Sequence, residues 1–132
     1  MIGLDTNVLV RFLVADDKDQ AARAARLIEE RCSGDDPGFV DSVVLCELVW
    51  VLEGAYGYAR PLIAEVLEKM LHSAELEIAN VEDAWAALRA YRSGGADFSD
   101  ALIGRLNRQA GCVATATFDR GAAALDDFFE VP

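Results

Sequence analysis

Short apolar runs alternate with longer segments of helical period along the whole chain, and that alternation leaves few folds open to it. Strands that alternate with helices are joined by crossovers, which lay neighbouring strands parallel and cover the sheet on both faces. The expected fold is α/β, a three-layer α/β/α arrangement around a mostly parallel central sheet. The first run, Met1-Ile2-Gly3-Leu4, ends at once in a carboxylate, Asp5, followed by Thr6, Asn7 and an amphipathic stretch. Ligand sites of open α/β sheets lie outside the carboxyl ends of the strands, so an acid at that point is a site candidate.

The spacing of Val8, Leu9, Phe12 and Leu13 predicts a helix from Asn7 to Ala15, and Asp19 to Arg31 reads as a second, alanine-rich one. Ser33-Gly34-Asp35-Asp36-Pro37-Gly38 is a loop that leads into the strand Phe39-Val40-Asp41. Ser42 is the expected N-cap of a helix running to about Glu53, with Gly54 ending it. Pro61 suits the first turn of a helix that continues to His72, and Leu76 to Ala79 alternates like a strand. Val81 to Tyr91 returns to helical spacing, Ser93-Gly94-Gly95 breaks it, and Ser99 to Ala110 forms a further helix closed by Gly111. Cys112 to Thr117 reads as the fourth strand. Asp119-Arg120-Gly121 reads as a turn, followed by a short helical piece and the edge strand Phe128-Phe129-Glu130-Val131.

A chain of 132 residues with 53% hydrophobic content and only three prolines fits one ordered domain, here residues 1–132. No apolar run is long enough to span a bilayer, and Asp5 interrupts the N-terminus before a signal-peptide core could form. The expected location is the cytoplasm, with no membrane partner. Cys32, Cys46 and Cys112 are odd in number and lack a C-x-x-C pair, which argues against a disulfide framework or a structural zinc site. They are expected to be reduced and mostly buried. His72, the only histidine, lies near a helix end and receives no role.

The formal charge of −11 repels nucleic acid at long range. It is also what a carboxylate-lined metal site produces locally, and divalent cations could bridge such a site to phosphate. A basic partner protein is the other natural consequence.

The acids differ in how easily a structural role explains them. Asp5 could simply cap the helix that follows it. Glu47 is the one charge in Val43-Val44-Leu45-Cys46-Glu47-Leu48-Val49-Trp50-Val51-Leu52, a run expected to be buried nearly all round, where a carboxylate needs a cation or several hydrogen bonds. Asp97 and Asp100, one helical turn apart, suit a helix N-terminus singly but repel one another as a pair unless a cation is shared. Asp119, after Thr117 and Phe118, could be an ordinary turn residue. Together, carboxylate oxygens without histidine or thiolate select hard cations such as Mg²⁺ or Mn²⁺, whose chemistry with phosphate is hydrolytic phosphoryl transfer.

Those residues carry a resemblance that runs nearly end to end. Leu4-Asp5-Thr6-Asn7-Val8-Leu9-Val10-Arg11, Glu47 in its apolar helix, Ala96-Asp97-Phe98-Ser99-Asp100-Ala101-Leu102-Ile103 and Thr117-Phe118-Asp119-Arg120 resemble the PIN-domain nucleases. The likeness is closer to the VapC-like ribonuclease toxins of type II toxin–antitoxin pairs. It implies Asp5, Glu47 and Asp100 as the main metal-binding triad and Asp119 as the fourth acid. Asn7 and Thr117 would be supporting polar residues and Asp97 an auxiliary ligand. Asp100 is preferred over Asp97 because the family acid directly precedes a run like Ala101-Leu102-Ile103. Gly104 stands where such helices often carry alanine.

The implied activity is a Mg²⁺- or Mn²⁺-dependent endoribonuclease acting on RNA. The implied partners are a second copy, with Trp50, Tyr56 and Tyr58 as interface aromatics, and an antitoxin that places an arginine among the acids. Arg11, Arg105, Arg108 and Arg120 could touch RNA phosphate, although scattered arginines on helix faces are more often solvated. The competing reading is a catalytically silent PIN-like module whose acids bind a basic partner peptide. A phosphohydrolase or phospho-acceptor domain is remote, since Asp5-Thr6-Asn7 lacks the second acid of a D-x-D motif.

Overall fold

The strands are only two or three residues long, so helices carry most of the core and the strands serve mainly to fix where the helices begin. The computed structural model describes residues 1–132, which pack as two compact units, Met1–Ala79 and Asn80–Pro132.

The first unit runs β1 (Ile2–Gly3), α1 (Thr6–Val14), α2 (Lys18–Arg31), β2 (Gly38–Val40), α3 (Ser42–Gly54), α4 (Arg60–His72) and β3 (Leu76–Ile78). Its sheet has the order β1-β2-β3 with both pairs parallel, Ile2 opposite Gly38 and Phe39 opposite Glu77. The core comes chiefly from Leu45, Leu48 and Leu52 of α3 and from Ile63 and Leu67 of α4, all buried. Asp41 caps α3: its Oδ1 accepts from the Val44 N–H at 2.8 Å. Ser42, the expected cap, is instead the first helical residue, because the acid at the strand end is placed to reach the free N–H. Ala15 closes α1 at φ +56° and Asp17 caps α2, which folds the two helices into a hairpin.

The second unit runs α5 (Val81–Ser93), α6 (Phe98–Gln109), β4 (Thr115–Thr117), α7 (Arg120–Ala123) and β5 (Phe128–Glu130), with β4 and β5 parallel. The expected α/β class with parallel strands is borne out in both units. The fourth strand starts at Thr115 and not at Cys112, since the chain turns through Gly111 at φ +105° before extending. Arg120 and Gly121, expected in a turn, form the first turn of α7. Gly104 has a packing reason: a Cβ there would run into the Phe128 ring, so α6 and β5 meet closely only over glycine. Of the thiols, only Cys32 is buried; Cys46 is half-buried and Cys112 exposed, contrary to expectation, because Cys112 falls in the turn. Burial raises the pKa of Cys32 and Cys46, which suits inert thiols.

Helices α5 and α6 pack against each other, α5 burying Ala84, Ala87, Leu88 and Tyr91 and α6 burying Phe98, Ala101 and Leu102. Two contacts lie at opposite ends of the pair. The Tyr91 and Phe98 rings meet tilted, with centroids 6.1 Å apart, beside the connecting loop. At the far end, Asp83, only 1% exposed, faces Arg105 with Nε 3.4 Å from Oδ1. Both Asp83 oxygens and the Arg105 Nε lack a hydrogen-bond partner, so the pair is held by charge and not by good hydrogen-bond geometry.

The two partners are unequal. Removing the arginine strands a buried carboxylate, whereas removing the acid leaves a guanidinium that can swing out from its half-exposed position. Arg105→Ala is expected to lower unfolding free energy by about 3 kcal/mol, and Asp83→Ala by clearly less. Urea denaturation of the two variants side by side checks this, and an equal loss would contradict the asymmetry.

Candidate active site

Leu4 is buried at the end of β1 and pulls the chain in, which leaves Asp5 exposed at the strand-to-helix junction. Asp5 does cap α1, with Oδ1 accepting from the Thr6 N–H at 2.8 Å. Thr6 is turned inward, 7% exposed, and its hydroxyl donates to Glu47 Oε1 at 3.2 Å. The bond ties the first turn of α1 to the middle of α3 and sets Glu47 beside the residue next to Asp5.

Glu47 is exposed, and the expectation of a carboxylate buried on all sides is corrected. The apolar run of α3 divides into an inward face, Val44, Leu45, Leu48, Val49 and Leu52, and an outward stripe at helical spacing, Val43, Glu47 and Trp50. A continuous apolar run hides this division, because Val43 and Trp50 are 68% and 62% exposed although apolar. Glu47 therefore faces solvent and is oriented by Thr6, without needing charge compensation to fold.

In the second unit, Asp97 is the N-cap residue of α6 yet makes no capping bond with its side chain, and Asp100 lies in the first turn. Asp119 follows β4: its N–H donates to Thr117 Oγ1 at 3.0 Å and its Oδ1 accepts from the Ala122 N–H at 2.9 Å. Thr117 thus bonds to the backbone of Asp119, and Asp119 also caps α7. The loop before α6 and the start of α7 are pressed together at two glycines, since a Cβ on Gly121 would collide with the Gly95 carbonyl oxygen. Asp97 and Asp119 both lie within electrostatic range of Asp100. Partial burial, and then the Asp97 and Asp119 carboxylates, raise the Asp100 pKa above its ordinary value.

The donor set suits a hard divalent cation in kind, being all carboxylate oxygen, and the crowding around Asp100 is of the sort a cation relieves. Neither unit sets three His, Cys, Asp or Glu side chains to hold an ion by themselves. Mg²⁺ and Mn²⁺ need only one or two direct carboxylates beside their waters. The comparison with known families names the class of protein that carries this set of acids. The chain belongs to the PIN domain family, whose pattern it matches over residues 2–127. The family is one of nucleases that typically use divalent metals, so the protein is a nuclease. No curated protein and no solved structure matches it.

Two residues escaped the reading of the sequence. Thr6, the neighbour of Asn7, is one: it bonds to Glu47, whereas Asn7 is exposed. The signal was its place directly after the strand-end acid, where an inward-facing small hydroxyl reaches a neighbouring helix. Asp41 stands at the end of β2, next to β1 in the sheet, and is occupied in capping α3.

Because the folded-state pKa of Asp100 is raised, the folded protein holds the proton more tightly than the unfolded chain, and stability falls as pH rises through that window. Asp100→Asn removes the charge that repels Asp97 and Asp119. The variant is expected to unfold at a higher temperature than the parent in EDTA at neutral pH and to lose the part of the pH dependence that comes from Asp100. A variant less stable than the parent throughout would show that Asp100 is not in a repelling environment.

Proposed function

We propose that the protein is a Mg²⁺- or Mn²⁺-dependent endoribonuclease that hydrolyses RNA phosphodiester bonds, working as a single domain over residues 1–132 and as the VapC-like toxin of a toxin–antitoxin pair. The observation that carries the reading is an uncompensated set of carboxylates in a PIN domain, centred in the second unit on Asp100 crowded by Asp97 and Asp119. Asp5, Glu47 and Asp100 serve as the metal-binding triad, Asp119 as the fourth acid and Asp97 as an auxiliary ligand. When bound, the metal supplies an activated water and charge stabilisation at the phosphate.

The chain's own residues prepare that chemistry. The Thr6 hydroxyl fixes one oxygen of Glu47, which leaves Oε2 to turn towards a ligand. Thr117 and the Ala122 N–H hold Asp119 through its backbone and Oδ1, and Oδ2 is the oxygen left to act. Neighbouring carboxylates keep Asp100 electrostatically dissatisfied, so a cation gains more there than at an isolated acid. Asn7 adds a further amide near Asp5. The proposed protein partners are a second copy, giving a homodimer, and an antitoxin that presents an arginine to the acids; light scattering at micromolar concentration tests the first.

The decisive assay is cleavage of mixed tRNA and rRNA by the isolated protein with Mn²⁺, with EDTA, and with Asp100→Asn. Cleavage is expected only for the parent with Mn²⁺. Absence of cleavage together with tight binding of an arginine-rich peptide would favour the silent module that binds a basic partner through the same acids. Thr6→Val, which deletes the hydroxyl but keeps the buried volume, is expected to reduce metal affinity or turnover by about 10–100-fold. An unchanged variant would remove Thr6 from the mechanism.

A further inference from the structure

Helices α1 and α2 of the first unit enclose an open groove of about 400 Å³ whose chemistry differs from the rest of this acidic chain. Asn7, Arg11, Gln20 and Arg23 supply its polar lining, and Val8, Ala24 and Leu27 its apolar lining. Arg11, Lys18, Arg23, Arg26 and Arg31 are five of the twelve basic residues, gathered in this one hairpin. The groove starts at Asn7, two residues from Asp5 and on the same helix as Arg11 one turn further along.

Arg11 is held in place before any ligand arrives. Its Nε donates to Gln20 Oε1 at 2.6 Å, and its Nη1 donates to Asp16 Oδ1 at 3.1 Å and to the Tyr56 hydroxyl at 3.3 Å. Tyr56 in turn donates to Asp16 Oδ2 at 3.0 Å. These bonds run through Nε and Nη1, and Nη2 keeps its two N–H donors for another acceptor. Arg23 is paired only with Asp19, at 3.7 Å and with both side chains at least 70% exposed, a contact weak enough to be exchanged.

Two guanidinium groups beside a small apolar lining match a nucleotide unit better than an acidic peptide. The fork of donors fits a phosphodiester, and Ala24 with Leu27 offers a surface for ribose or base. We propose that the α1–α2 groove is a phosphodiester subsite for single-stranded RNA, in which Arg11 and Arg23 take the phosphate and the Ala24–Leu27 lining takes the sugar or base. The proposal rests on the nuclease reading for its ligand. Asp16 then has a second role: it orients Arg11 but competes with phosphate for its charge.

That competition supplies variants of opposite sign. Binding of a fluorescein-labelled oligouridylate, followed by anisotropy in EDTA across a salt series, reads the groove without cleavage. Arg23→Gln, at an exposed position with little effect on folding, is expected to weaken binding several-fold and to reduce the slope of log affinity against log salt by about 0.7 for one lost phosphate contact. Arg11→Gln is expected to do the same, and Asp16→Asn to tighten binding.

Equal binding by all variants, weakening by Asp16→Asn, or preference for an oligoglutamate over the oligouridylate would each overturn the subsite. The nuclease reading fails separately. RNA cleavage with Mn²⁺ that persists while the groove variants bind normally discards the groove alone. Altered binding with no cleavage by the parent discards the nuclease.

Discussion

Crowding of charge around one partly buried carboxylate, Asp100, is the constraint on which the candidate site depends. A net charge of −11 is tolerable in a small protein when acids are dispersed and solvated, but Asp100 is partly buried and feels the charges of Asp97 and Asp119. Asp119 is held by helix capping and Asp100 by its place in the first turn of α6, while two arginines of the same unit are engaged elsewhere, Arg105 with Asp83 and Arg108 with Asp127. An acid without a resident cation is what a nuclease that recruits a divalent metal requires.

The same logic separates the two units by the way they prepare their acids. In the first, Asp5 and Glu47 are exposed and need little compensation, and the contribution of the fold is orientation through the Thr6 hydroxyl. In the second, Gly121 and Gly95 approach closely, and partial burial of Asp100, with the Asp97 and Asp119 charges adding to it, raises its pKa. Small residues therefore matter here as much as the acids. A threonine and two glycines set what the carboxylates can do.

Much of this was legible in the residues. Period and breaker residues located the helices and strands to within a few positions, because a helix of a dozen residues repeats its apolar signal several times. Strands of two or three residues do not, and the start of β4 was misplaced at Cys112, where apolar character belongs to a turn. Burial around Glu47 was misjudged for a related reason: an unbroken apolar run carries no phase, so Val43 and Trp50 looked inward. Asp41 and Ser42 are both good caps, and only the backbone decides which side chain reaches Val44. The Asp83–Arg105 pair left no trace in the pattern, since a charge at the end of a helical seam looks like any solvated charge until the facing helix is known.

The outward stripe of α3 has an optical consequence. Trp50 lies one helical turn from Glu47 and presents most of its indole to water, whereas Trp85 is half-buried in the other unit. An indole so placed emits with a wavelength and intensity that follow its solvent and the charges near it. The protein thus carries its own fluorophore beside one of its acids, and a change of solvent or charge around Glu47 can be watched by intrinsic emission without attaching a label.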